Sequence, residues 1–201
     1  MDDDLLIRPY RDEDERGWVV CRLLSFLDTD FFDDVRRAKE HYESSSIELV
    51  AERDGEIVGL IDVECETQPG TVCEHRPDLG GMIWHLAVHP DQQRRGVATA
   101  LLRETERRAR SHGLGRLEAW TRDDTGTRHW YESRGFELVQ SYLNVYIDID
   151  EGLRDLFPIT ADGLRPIRVF AHSVGNPNAM RARFRRVHEN VLYELRFARG
   201  A

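Results

Sequence analysis

Between Met82 and Thr121 the chain reads strand, polar turn, helix, strand, and no other stretch restricts the fold as much. Met82–Val88 is apolar apart from His85, and Pro90 ends it because proline has no N–H to give to a ladder. Asp91–Gly96 is a polar turn. In Val97–Arg110, Val97, Leu101 and Glu104 mark one line, and Ala98, Leu102, Thr105 and Ala109 mark a stripe expected to be buried. Glu104 and Arg108, and Glu106 and Arg110, stand one turn apart with the acid first, the favourable order. Gly113 stops the helix and Leu117–Thr121 returns to strand. Two strands joined through a helix form a right-handed crossover and run parallel, which puts the chain in the α/β class.

The flanking segments add antiparallel pieces. Leu5–Arg8 suggests a short strand, and Asp12–Leu27 a helix with Trp18, Cys21, Leu24 and Leu27 at steps of three. Asp28–Glu43 is acidic and expected to be helical. Ile47–Glu52 and Ile57–Glu64 are strands joined by Asp54-Gly55, a strong hairpin signal. Thr67–Gly81 reads as loop, Thr125–Ser133 as a short helix closed by Gly135, and Phe136–Ile149 as a long alternating strand. Beyond Asp150 the pattern weakens, with strands expected at Leu164–Val169 and Val187–Phe197 and a loop at Val174–Asn178. This predicts one domain over residues 1–150 and a C-terminal extension, 151–201, packed onto it.

Charge narrows the function. The net charge is -9, from 28 basic and 37 acidic residues, which disfavours general nucleic-acid binding. Residues 165–201 hold eight arginines against Glu189 and Glu194, and this basic run is expected to pair with the acidic body of the same chain. Asp28, Asp30, Asp33 and Asp34 form either a solvated acidic face or a lure for a cationic amine. Lys39 is the only lysine. An arginine bias this strong reflects genome composition or a demand for bidentate anion contacts. No run approaches the ~20 apolar residues of a membrane span, and the acidic start lacks the basic region of a secretory signal. Cys21, Cys65 and Cys73 match no zinc or redox spacing, so a reducing cytoplasm is expected. His85 and His89 are four apart, a spacing that aligns ligands only on a helix, and no metal is expected.

The turn after Val88 carries the chemistry. A helix N-terminus exposes unpaired N–H groups and a partial positive charge, Gly96 and Ala98 let a ligand approach the backbone, and Arg94 and Arg95 add charge. This is a diphosphate cradle in physical terms; the plainer reading is a strand-to-helix turn with solvated arginines. No Gly-Lys-Ser/Thr follows, as a P-loop needs, and there is no Gly-x-Gly-x-x-Gly.

Gln93-Arg94-Arg95-Gly96-Val97-Ala98 resembles the acetyl-CoA signature of the GNAT superfamily of N-acetyltransferases, and Trp130-Tyr131-Glu132-Ser133-Arg134-Gly135-Phe136 resembles that family's later Tyr-Glu-x-x-Gly-Phe pattern. The resemblance covers roughly residues 5–148. It implies an open mixed, mostly antiparallel sheet splayed at the fourth strand and flanked by helices. It also implies acetyl-CoA as co-substrate and direct transfer, in a ternary complex, to a primary amine of a small molecule or peptide. The family further suggests a homodimer. Carried over, the strand Leu86-Ala87-Val88 would hold the pantetheine and thioester carbonyl through backbone groups of Leu86 and Val88. Gln93 and the amides from Arg94, Arg95, Gly96, Val97 and Ala98 to Thr99 would hold the diphosphate, and Tyr131 would act at the sulfur. Asp124 and Thr127 stand where the family often has Asn and Ala; an ionised Asp accepts but does not donate. A non-catalytic acyl-CoA-binding module on the same fold is the alternative. For a base acting through water, Glu64 and Glu66 are the better carboxylates. Strict alternation groups Met82, Trp84 and Leu86 on one face and turns His85 to the other, which makes His85 structural.

Overall fold

The computed structural model of the chain describes residues 5–74, 78–157, 163–164 and 166–198. Met1–Asp4, and Arg165 and Arg199 of the basic run, lie outside them. In chain order the described elements are β1 (Leu6–Pro9), α1 (Glu15–Phe26), β2 (Ser46–Arg53), β3 (Glu56–Cys65), β4 (Gly80–Val88), α2 (Val97–Ser111) and β5 (Arg116–Thr121). Then come α3 (Thr125–Ser133), β6 (Glu137–Asp148), α4 (Leu153–Leu156), β7 (Arg168–Ser173), α5 (Pro177–Arg183) and β8 (Arg186–Arg196). The strands form one sheet in the order β1-β2-β3-β4-β5-β8-β6-β7. All neighbours are antiparallel except β4 and β5, the parallel pair that the crossover through α2 requires.

Alternation along β2 and β3 feeds two cores. Leu49, Ala51, Ile61 and Val63 face α2 and pack with Val97, Leu101, Leu102 and Ala109. Val50 and Leu60 face α1 and pack with Trp18 and Cys21. Asp54 (φ 54°) and Gly55 (φ 80°) turn the β2–β3 hairpin with two left-handed residues, as the Asp-Gly pair predicts. All three cysteines are free and buried.

The structure differs from expectation in residues 28–43 and in the placement of elements after residue 160. Residues 28–43 are not helical: short turns run from Phe26 to Asp34 and the rest is irregular. Arginines outside the segment hold its aspartates in place, and these contacts outweigh the weak local preference. β8, from the segment after residue 150, lies in the sheet between β5 and β6 and pairs with both. Val191, Leu192 and Tyr193 of β8 are fully buried, so this late segment belongs to the core. β7 falls at Arg168–Ser173, later than the expected Leu164–Val169, and Pro177 opens the helix α5 where a loop was expected to continue.

Candidate active site

β4 and β5 are hydrogen-bonded only from Gly80–Ile83 to Arg116–Ala119. Beyond that the strands part, and a cavity of about 910 Å³ opens between them. The parting coincides with an irregularity in β4. Val63 pairs with Ile83 and Asp62 with His85, so Trp84 has no partner across β3. This β-bulge reverses the alternation, as bulges do. His85 therefore shares a face with Met82 and Ala87 instead of opposing Met82, and Trp84 stands out 47% exposed. His85 therefore does not point the way strict alternation predicts.

On one side of the cavity are the groups expected to meet the acyl donor. Leu86, Ala87, Val88, Gln93, Asp124 and Tyr131 line it. The Gln93 side chain donates to the Val88 carbonyl at 3.2 Å. Asp124 caps α3, accepting from the Thr127 N–H at 2.6 Å, so its carboxylate is already committed to the helix. Arg94, Arg95, Gly96, Val97, Ala98 and Thr99 do not line the cavity itself; they follow Gln93 directly and form the turn and first turn of α2. Arg94 (φ 61°) and Gly96 (φ 82°) are both left-handed, a cost tolerated where backbone amides must be aimed. No side chain caps α2, and a Cβ built on Gly96 meets nothing within 4 Å. Open space thus adjoins an uncapped helix N-terminus.

Tyr131 is 5% exposed, stacked on Tyr193 at 5.6 Å and edge-on to Phe136 and Trp130. Burial pushes its phenol well above the ordinary range, so it stays protonated and able to donate.

The other side combines His85 and Glu64 with Arg22, Glu40, Arg122, Asn144 and Asn190, which the sequence analysis did not single out. Arg22 Nε donates to His85 Nδ1 at 3.2 Å, which leaves Nε2–H to meet Glu40 at 2.7 Å. Burial lowers the His85 pKa and the Glu40 hydrogen bond opposes it only in part, so His85 is neutral with both nitrogens occupied. Glu64 accepts from Trp84 Nε1 at 2.9 Å and from the Ser44 N–H at 3.3 Å. Glu66 is elsewhere. It is buried and accepts the amides of Gly70, Cys73 and Gly80, anchoring the β3–β4 loop, which removes it as a base. Arg122, Asn144 and Asn190 line the far wall, from the end of β5, β6 and β8. Their signal was the alternation of β6, but only the strand order brings it to the cavity.

The family model for the acetyltransferase (GNAT) family matches residues 8–136. The chain belongs to the GNAT acetyltransferase family. It is 31% identical to the acetyltransferase SG1711 of Sodalis glossinidius over 143 residues, 68% of this chain and 90% of that protein. Among solved structures, the ribosomal-protein-S18-alanine N-acetyltransferase of Escherichia coli matches with a TM-score of 0.61 and 14% identity, covering 98% of this chain and 96% of that one. A GNAT acetyltransferase from Elizabethkingia anophelis, solved with acetyl-CoA bound, matches with a TM-score of 0.54 and 16% identity, covering 98% of this chain and 100% of that one. At these identities the structures establish the shared fold. The open sheet with its parted fourth and fifth strands is the GNAT architecture, and this GNAT chain is an acyltransferase. Among its described residues no helix is long and apolar enough to cross a membrane.

Proposed function

We propose that this acetyltransferase moves an acetyl group from acetyl-CoA to a primary amine by direct attack in a ternary complex. The observation that carries the reading is the parting of β4 from β5 beside an uncapped α2 N-terminus, with the Tyr131 phenol on the same cavity wall. The cradle fits a diphosphate: left-handed Arg94 and Gly96, free space at Gly96, and the positive end of a fifteen-residue helix. Amides from Arg94 to Thr99 bind the diphosphate, and Leu86 and Val88 align the pantetheine along the free edge of β4. Asp124, an acceptor, can receive a pantetheine N–H but not replace an Asn donor.

The acceptor amine must be neutral to attack. Glu64, on the cavity wall, takes its proton through a water molecule. A backbone N–H of β4 near Leu86 donates to the carbonyl oxygen as charge builds on it, an interaction worth roughly 3–4 kcal/mol in other enzymes. Tyr131 donates a hydrogen bond to the departing thiolate. Its raised pKa argues for stabilisation by that bond over loss of the proton. The test is an amine panel with acetyl-CoA, monitored by release of free CoA thiol, alongside melting with and without acetyl-CoA. Turnover of at least one amine is expected. A melting temperature that acetyl-CoA leaves unmoved would refute the cradle.

A further inference from the structure

The identity of the acceptor is open in that reading, and the charges around the cavity bear on it. Most of them are spent within the chain. Asp34 is held by Arg22 at 2.7 Å and by Arg36 at 3.3 Å, and Glu40 by Arg36 and His85. Two buried or half-buried charges on the wall are not. Glu64 forms no ion pair among the described residues; its partners are the neutral Trp84 indole and the Ser44 amide. Arg122, 8% exposed, likewise has no carboxylate partner among the described residues. Its guanidinium donates to the Asp30 carbonyl and, at 2.9 Å, to the Tyr146 hydroxyl, both neutral acceptors. Its Nε is buried with no partner.

Among the described residues no nearby carboxylate is hydrogen-bonded to Arg122, although Asp33 is close enough to feel its charge. Asp33 is gripped by both terminal nitrogens of Arg186, and Asp123 is met by Arg181 and by His188 Nδ1, which also lies 3.5 Å from Asp30. A buried guanidinium that no carboxylate touches is costly, and the cost is relieved when an anion arrives. On β6 the Asn144 side chain, 4% exposed, lines the same cavity. The wall therefore offers an unspent cation at the β5–β8–β6 side and an unspent carboxylate at the β3–β4 side.

We infer that the acceptor is an amino-carboxylate: its amine lies at the Glu64 side of the cavity and its carboxylate accepts from Arg122. This rests on the acetyl-transfer reading and narrows it. A polyamine would leave Arg122 uncompensated, and a peptide N-terminus would present it with neutral carbonyls.

The experiment uses matched pairs that differ only in the carboxylate: lysine against cadaverine, and ω-amino acids of increasing length against the corresponding alkylamines. A dipeptide is compared with its C-terminal amide. Calorimetry on the CoA complex of the full chain reads binding, and thiol release with acetyl-CoA reads turnover. At least one carboxylate-bearing member is expected to bind about ten- to a hundredfold more tightly than its partner, the range of a hydrogen bond to a charged group. Arg122→Gln is expected to bring that ratio close to one. Because Arg122 also holds the Asp30 carbonyl, Arg122→Lys, which keeps the cation and loses the fork, serves as a second variant, expected to give an intermediate ratio. Circular dichroism checks that both fold. No preference for the carboxylate in any pair, or a preference that survives in a folded Arg122→Gln, overturns the inference. In that case turnover of any amine would leave the acetyl-transfer reading standing, since the two are read separately.

Discussion

Asp62 ties the strand that backs the bulge to the pH dependence of the whole fold. It is fully buried on β3, its Oδ1 has no partner, and Oδ2 accepts from the Tyr42 hydroxyl at 3.3 Å. Lys39 reaches it at 3.3 Å from the loop and reaches Glu48 of β2 at 2.5 Å; His85 is its neighbour across β4. One ammonium thus serves two carboxylates. Burial raises the Asp62 pKa from 3.8 to about 7, with Glu48 adding to the rise and Lys39 opposing it. Between these values the folded chain holds a proton that the unfolded chain has lost. Stability from this group therefore falls as pH rises from about 4 to about 7 and is level above that. Roughly three pKa units amount to at most about 4 kcal/mol. His85 has the opposite sign: its lowered pKa makes stability rise towards pH 6.5. The slope of Asp62 is therefore read in the difference between wild type and Asp62→Asn, in which the His85 contribution is common. That variant is expected to gain stability relative to wild type as pH is raised from 4.5 to 8. At about 2–4 °C per kcal/mol for a chain of this size, the melting temperatures should separate by several degrees. The assay is thermal melting followed by circular dichroism over that range. A difference that stays flat with pH would show that Asp62 is ionised throughout, and the argument from burial would fail.

Gly96→Val places a side chain in the open space at the cradle and strains a φ of 82°; acetyl-CoA should lose at least about tenfold in affinity by calorimetry, with the fold retained. Tyr131→Phe should lower kcat about ten- to a hundredfold and leave the acetyl-CoA Kd unchanged, since the phenol acts only on the departing sulfur. Full turnover in that variant would remove Tyr131 from the chemistry. Arg116 is buried with Glu66, Glu118 and Glu194 at 3.3–3.6 Å, so Arg116→Met should cost about 3–5 kcal/mol in denaturant unfolding by removing the buried cation that three carboxylates share.

Local signals carried much of this fold. The Asp54-Gly55 pair, the stripe of α2 and the apolar run of β4 each state their structure in a few adjacent residues. So do both signatures that flank the donor side of the cavity. The acceptor side is illegible for a physical reason: it is assembled from pieces far apart in the chain. Glu40 meets His85 across 45 residues of sequence, Arg122 meets Asp30 and Tyr146, and Arg186 of the inserted strand β8 meets Asp33. The bulge at Trp84 is similar. Nothing in Met82–Val88 marks an extra residue, yet it decides which way His85 points.

The arginine bias and the acidic stretch, unrelated along the chain, explain each other in the structure. Residues 28–34 have no helix of their own and are held by arginines from three elements. Arg186 forks onto Asp33 and stacks its guanidinium on Phe32 and Tyr146 at 4.7 and 3.8 Å. Arg122 lies 4.2 Å over Phe31, and Arg22 lies 4.6 Å over Phe26 while binding the Asp34 carboxylate. A lysine could supply the charge at these positions but neither the fork nor the flat face. Whatever its origin in composition, the bias is used here for anion contacts within the chain. The basic C-terminal run is spent the same way, Arg181 on Asp123 and Arg185 on Asp150. A field of many aspartates luring a cation is therefore not what a ligand meets. Asp33 and Asp34 are paired with arginines before it arrives. On the buried and half-buried part of the wall, the charges without an ion pair among the described residues are Glu64 on one side and Arg122 on the other.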